Sequence, residues 1–187
     1  MSKNQTHSRK DLALWTSCIR YYKNNPKSWS ILDSIVHNRQ SGTTSVPSLR
    51  CIFYFITAYT KDNPLQLTHA PLTTVQDAYS HYRHMLQIHT KRRFDPFCRR
   101  NKHSVELHGK TIESNVGQLV FFRWFFDTGL YDRLLESHEK VLTTRRLQAN
   151  AKRLNKDTEA IKSGPRVIVK VAGPSDIRNI RIAVRFG

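Results

Sequence analysis

The residues best suited to chemistry crowd into one stretch, where Lys91, Arg92, Arg93, Arg99, Arg100 and Lys102 stand against a single carboxylate, Asp95. The net +5 within twelve residues is interleaved with Phe94 and Phe97. Cations neutralise phosphates and carboxylates while aromatic rings stack on bases, so the composition is that of a polyanion-binding surface. The same residues also read as an anchored loop, in which Phe94 and Phe97 plug into a core and Arg99 and Arg100 pair with acidic surfaces. An aromatic segment just downstream offers both rings somewhere to bury, and this favours the anchor.

Other chemistry finds less support. Asp95 precedes Pro96, which biases it to an extended conformation where its carboxylate accepts a neighbouring backbone N–H; a turn is favoured over a buried catalytic base. Nine histidines raise the question of a metal, with Cys98, His103 and His108 the nearest cluster, yet no Cys-x-x-Cys or His-x-x-x-His pair has zinc-site spacing. Gly-x-Ser-x-Gly, His-Glu-x-x-His and a phosphate-cradling glycine-rich loop are missing from a chain with only seven glycines. No catalytic residue, metal or cofactor is expected, and the chain is read as non-enzymatic. Arg123 is expected to stack on a ring or form an ion pair.

The segment that must position the basic loop is 116–126, Val-Gly-Gln-Leu-Val-Phe-Phe-Arg-Trp-Phe-Phe, apolar on nearly every side. A fully buried Phe or Trp contributes roughly 1.5–3 kcal/mol or more, so such a helix needs walls all round: it is the central helix of a domain or an adhesive surface for a partner. Ser114 or Asn115 caps it and Gly129 ends it.

Candidate walls follow from periodicity. Ser8 with Asp11 makes a capping box for a helix over 9–23, with Leu12, Trp15, Ile19 and Tyr22 at helical spacing until Asn24-Asn25-Pro26. Ser28 is expected to cap a second helix, and Pro47 to open a third that is apolar on most faces from Leu49 to Tyr59. Thr74 and Asp77 repeat the capping-box spacing before a stripe of Ala78, Tyr82, Met85 and Leu86. Residues 105–109 alternate weakly, as one short strand or a turn arm. From Leu130, a helix running to about 161 is supported by Leu134, Val141, Leu147 and Leu154, with richly charged outer turns. Beyond Ser163-Gly164-Pro165, the β-branched runs 167–171 and 180–186 read as strands, and because a lone hairpin is marginal they should add to another sheet.

Of 187 residues, 31 are Lys or Arg and 14 are Asp or Glu, a net charge of +17, while 39% hydrophobic content is enough for a real core. The excess sits in the flanks. Residues 1–63 carry nine cations against three carboxylates, 64–139 ten against eight, and 140–187 twelve against three. Cys18, Cys51 and Cys98 are too few for a disulfide framework, and a reducing compartment is expected. The first residues lack an apolar signal core and the greasy runs are too short to span a membrane, so neither a signal peptide nor a transmembrane helix is predicted.

The order Phe94-Asp95-Pro96-Phe97-Cys98-Arg99-Arg100, then Thr111-Ile112-Glu113-Ser114, then Val116-Gly117-Gln118-Leu119 and Phe121-Phe122-Arg123-Trp124, resembles a family of small basic proteins of nucleocytoplasmic large DNA viruses, the iridovirus-like and algal giant viruses. The resemblance covers about residues 94–187. This chain departs from the pattern at Val120 and at Phe125-Phe126, where the family is more polar, so its helix is greasier. The family brings no catalytic residue. It implies a virion location, or the host cytoplasm or virus factory during assembly.

The expected architecture is mainly α: a compact multi-helix core, a small C-terminal β element and extended basic arms. The regions are 1–63, an N-terminal helical part; 64–139, a central core with the basic loop and aromatic helix; and 140–187, a basic helix and terminal strands. The expected role is a minor capsid or cement protein beneath the shell of a large icosahedral virus. Its expected partners are capsid proteins of the same virus, with viral DNA, an inner membrane surface or self-association as further options, and DNA binding or packaging is the alternative role. Arg145, Arg146, Arg181 and Arg185 join the basic loop as interface residues, and Phe94, Asp95, Pro96, Phe97, Gly117, Phe121, Phe122 and Trp124 form the structural motif.

Overall fold

The computed structural model describes residues 9–37, 46–67 and 77–162, with side chains as far as 155. Two compact units divide it, 1–145 and 146–187. Helix α1 (Arg9–Asn24) buries Asp11, Cys18 and Tyr22. Pro26 ends it and begins α2 (Pro26–Val36), where its missing N–H falls among donors that a helix start leaves unpaired in any case. The second helix therefore starts earlier than expected, and Ser28 lies inside it instead of capping it. Ser48 caps α3 (Leu49–Tyr54) by accepting from the Cys51 N–H. The chain continues through a π-helical turn, Phe55–Tyr59, into Thr60–Asp62, with Cys51, Ile52, Phe55 and Ile56 buried.

Asp77 caps α4 (Ala78–Arg93) by accepting from the Ser80 N–H at 2.9 Å. It is thus the cap itself, one turn later than the capping-box spacing indicated; Thr74 and Ser8 lie outside the described residues. Near its end α4 breaks at Thr90, whose φ of 62° is unusual for a β-branched residue.

Strands β1 (His103–Leu107) and β2 (Lys110–Ser114) pair antiparallel, with Val105 opposite Ile112 and both buried. His108 and Gly109, at φ 53° and 71°, make the two-residue turn that suits the twist of a hairpin. Of the strand or turn arm expected over 105–109, residues 105–107 lie in β1, which begins at His103, and His108-Gly109 are its turn; the partner strand was unread because Thr-Ile-Glu-Ser carries one apolar side chain. Side chains of α2 hold the hairpin: Trp29 Nε1 donates to the Lys110 carbonyl, and Lys110 Nζ donates to Ser30 Oγ and lies 3.5 Å from buried Asp33.

Helix α5 (Val116–Asp127) is the centre of the first unit. Asn115 caps it, and eight of its residues are buried, from Gly117 to Phe122 and again at Trp124 and Phe125. A helix apolar on every side needs a complete wall. Helices α1, α2 and α4 supply much of it. Tyr22 of α1 is fully buried and donates its hydroxyl to the Leu119 carbonyl. Gly129, at φ 72°, turns the chain into α6 (Leu130–Lys162), whose Leu130, Leu134 and Val141 are buried. In the second unit the described side chains of α6 from 149 to 155 are exposed. Among the described residues the fold is mainly α-helical with one small antiparallel sheet, and the strands expected over 167–171 and 180–186 lie outside those residues.

One buried polar pair couples the core to pH. Trp124 Nε1 donates to His81 Nδ1 at 2.8 Å, so that imidazole is neutral in the fold, and burial, with His84 nearby, pushes its pKa down. An unfolded chain takes up that proton near pH 6.5, so the folded state loses stability as pH falls below that value and keeps it above. Urea midpoints should therefore drop between about pH 7.5 and about pH 5.5, and less so in His81→Gln, whose amide accepts the Trp124 N–H without titrating. His89, also pushed down by burial and by Lys10 and Arg93, keeps part of the dependence in that variant.

Candidate polyanion site

The basic loop is fastened to the start of α5 by polar bonds. The Asp95 N–H donates to the Gly117 carbonyl at 3.3 Å, and the Gln118 amide donates to the Pro96 carbonyl at 2.8 Å. Ser114 Oγ in turn donates to Gln118 Oε1, and Asn115 Nδ2 donates to the Arg100 carbonyl. Asp95 Oδ1 accepts from the Phe97 N–H, the turn expected for Asp-Pro. Buried amides leave few unsatisfied groups in such a joint. These bonds give the Phe-Asp-Pro-Phe and Val-Gly-Gln-Leu motifs a physical reason to occur together.

The two phenylalanines have different fates. Phe94 is 1% exposed and packs against Phe121 and Trp124 with ring centres 5.2 Å away in each case, and against Tyr82 at 5.9 Å. Phe97 is half-buried, edge-on to Phe53, with the Arg99 guanidinium over its ring at 5.0 Å. Phe94 is the anchor, and Phe97 keeps a face toward the cations.

Between these elements lies a cleft of about 570 Å³. Lys91, Arg92, Arg93, Arg99 and Arg100 line it, together with Asn115, Val116 and Gly117 at the start of α5. Two carboxylates offset part of the charge. Asp11 accepts from Arg92 at 2.9 Å and from Arg93, and those bonds hold its carboxyl below the usual carboxylate range. Asp95 sits 4.0 Å from Arg99. Lys91 and Arg100 form no ion pair among the described residues, and Arg92 and Arg99 keep 72% and 68% of their side chains exposed. The cleft is open, basic and backed by a helix start, which favours anions.

The sequence matches DUF7197, described as a family of unknown function, over residues 2–168. The chain belongs to this family. It is also 30% identical over 103 residues to uncharacterized protein L507 of Acanthamoeba polyphaga mimivirus, an alignment covering 51% of this chain and 39% of that protein. The chain therefore spans well under two thirds of that relative's length. No solved structure matches. A relative in a large DNA virus agrees, at that coarse level, with the resemblance read from the motifs.

In this DUF7197 chain every cleft residue falls inside the matched segment, whereas Arg181 and Arg185 fall beyond it and outside the described residues. Five of the six loop cations share the cleft; Lys102 faces Glu113 at 3.9 Å instead. Arg145 and Arg146 lie on α6, Arg145 as the last residue of the first unit and Arg146 as the first of the second. Arg123 stacks on Tyr21 at 5.1 Å and pairs with Asp127. Sequence reading missed Asp11 as a clamp, because its spacing from Ser8 suggested a capping box. It also missed Trp15 and His103, which meet edge-on at 5.3 Å and line an apolar pocket of about 270 Å³ beside the cleft. A tryptophan counted toward a core stripe carries no sign that its neighbour in space is basic.

A third cavity, about 350 Å³, lies among α1, α4 and α5 and is lined by Cys18, His81 and His84. Burial pushes the Cys18 thiol up to about 11 and the His81 imidazole down, the reverse of the shifts that activate a nucleophile. Among the described residues no three metal-ligating side chains gather, and no helix is long and apolar enough to cross a membrane.

Proposed function

We propose that this chain is a non-enzymatic structural protein of a large DNA virus particle, a minor capsid or cement protein that sits beneath the shell and binds neighbouring capsid proteins through basic surfaces. The observation that supports this reading is the separation of core and charge. Nearly all the aromatic surface of α5 is spent inside the first unit, which makes a rigid node, while Arg92, Arg99 and Arg100 stay outside for a partner. Arg145 and Arg146, with the basic residues read in the C-terminal segment, supply further contacts.

Purified virions should contain the protein, and after mild disruption it should remain with the capsid fraction at high salt, because many-point cementing outlasts the screening of single surface ion pairs. Its absence from purified particles would sink the proposal. A second reading, viral DNA binding, is favoured by one observation, the five cations lining a single open cleft.

A further inference from the structure

We infer that the basic cleft and the apolar pocket beside it form one site for single-stranded nucleic acid, holding phosphates along the arginines and one base against Trp15 and His103. This rests on the DNA-binding reading and narrows it to a strand form and a contact surface.

The two cavities share Asp11, His103 and Val116 in their linings, so they lie side by side. One lobe is cationic and the other is aromatic, the two halves of a nucleotide's chemistry. At about 570 and 270 Å³ they fall within or near the roughly 300–1,000 Å³ of known ligand sites. Arg99 laid over Phe97 adds a second flat face at the cleft. A duplex keeps its base faces stacked inside, so Trp15 and His103 can meet a base only on a single strand. A free triphosphate fits less well. It calls for a glycine-rich loop of backbone N–H groups, which this chain lacks, whereas cations spread over the end of α4 and the loop after it suit a phosphodiester backbone.

The test uses the full chain and a fluorescein-labelled oligothymidylate of about 16 nucleotides, near the upper site size of single-strand modules. A duplex of the same length and free ATP serve as competitors. The single strand should bind with an affinity that falls steeply with salt, resist both competitors, and lose about tenfold or more in Arg99→Glu with Arg100→Glu. Trp15→Leu should lose about tenfold for the single strand and leave duplex binding unchanged. Because Trp15 is half-buried, a second readout avoids mutation: ultraviolet cross-linking of a bromouracil-substituted strand should map to the peptides of Trp15 or His103. Equal binding of duplex and single strand, with cross-links elsewhere, overturns this inference and leaves DNA binding standing. Displacement by ATP at equal affinity overturns it in favour of a mononucleotide site. No binding of either strand form at low salt removes both readings.

Discussion

Phe94→Ala should lower stability by about 3–5 kcal/mol, the upper range for deleting a buried aromatic, and show as a large fall in urea midpoint with an unchanged slope. Phe94 is 1% exposed and meets Tyr82, Phe121 and Trp124, so its removal opens a cavity bounded by rings that belong to two helices. Those rings cannot close the gap without moving α4 against α5, and α5 is walled on other sides by α1 and α2. Phe97→Ala provides the contrast. Its ring is half-buried, so the loss should be roughly half of the 1.5–3 kcal/mol for a fully buried side chain, and the fold should persist. Equal effects of the two variants would contradict the division between anchor and exposed face.

Gly117→Ala sets two effects against each other. Alanine is favoured over glycine inside a helix by about 1 kcal/mol, so propensity alone forecasts a more stable protein. A Cβ at this position, however, would lie 2.6 Å from the Arg92 carbonyl oxygen, which is backbone and cannot rotate away. The strand of chain carrying that carbonyl is fixed on both sides: Arg92 and Arg93 are clamped to Asp11, Asp95 is bonded to Gly117, and Thr90 already sits at positive φ. Overpacking typically costs about 1–3 kcal/mol, and with no slack nearby the steric term should win. Denaturant midpoints of Gly117→Ala should therefore fall. Releasing the clamp with Asp11→Ala should make the pair less destabilising than the sum of the two single changes, since the backbone at Arg92 can then shift. A rise in midpoint for Gly117→Ala would show that the Arg92 carbonyl moves freely.

How much of this was legible in advance can be argued from particular residues. The aromatic helix, its start at Ser114 or Asn115 and its Gly129 stop were readable because Phe, Trp and Leu on all faces must be covered and because capping is chemistry within four residues; that Asn115 is the cap was decided by the fold. The Asp95 turn was readable for the same local reason. The starts of α2 and α4 were misplaced by a few residues, since Asn25-Pro26 and Asp77 compete with nearby Ser28 and Thr74 for the same role, and only the packed chain chooses. β2 was not readable, because the hairpin is held by bonds from Trp29 and Ser30 of α2 to Lys110 of β2, about eighty residues away in sequence.

The sequence by itself determined that this protein is mainly helical, strongly basic and built round one aromatic helix, because composition and short-range periodicity carry that information. Only the tertiary structure decided what the cations face. It paired Arg93 with Asp11, turned Lys102 toward Glu113, and gathered Lys91, Arg92, Arg93, Arg99 and Arg100 round a cleft beside Trp15. Charge is a property of each residue, whereas a site depends on distances between segments far apart in the chain. Those distances are set when the Phe94 anchor and the Gly117 contact lock α4 and its loop onto α5.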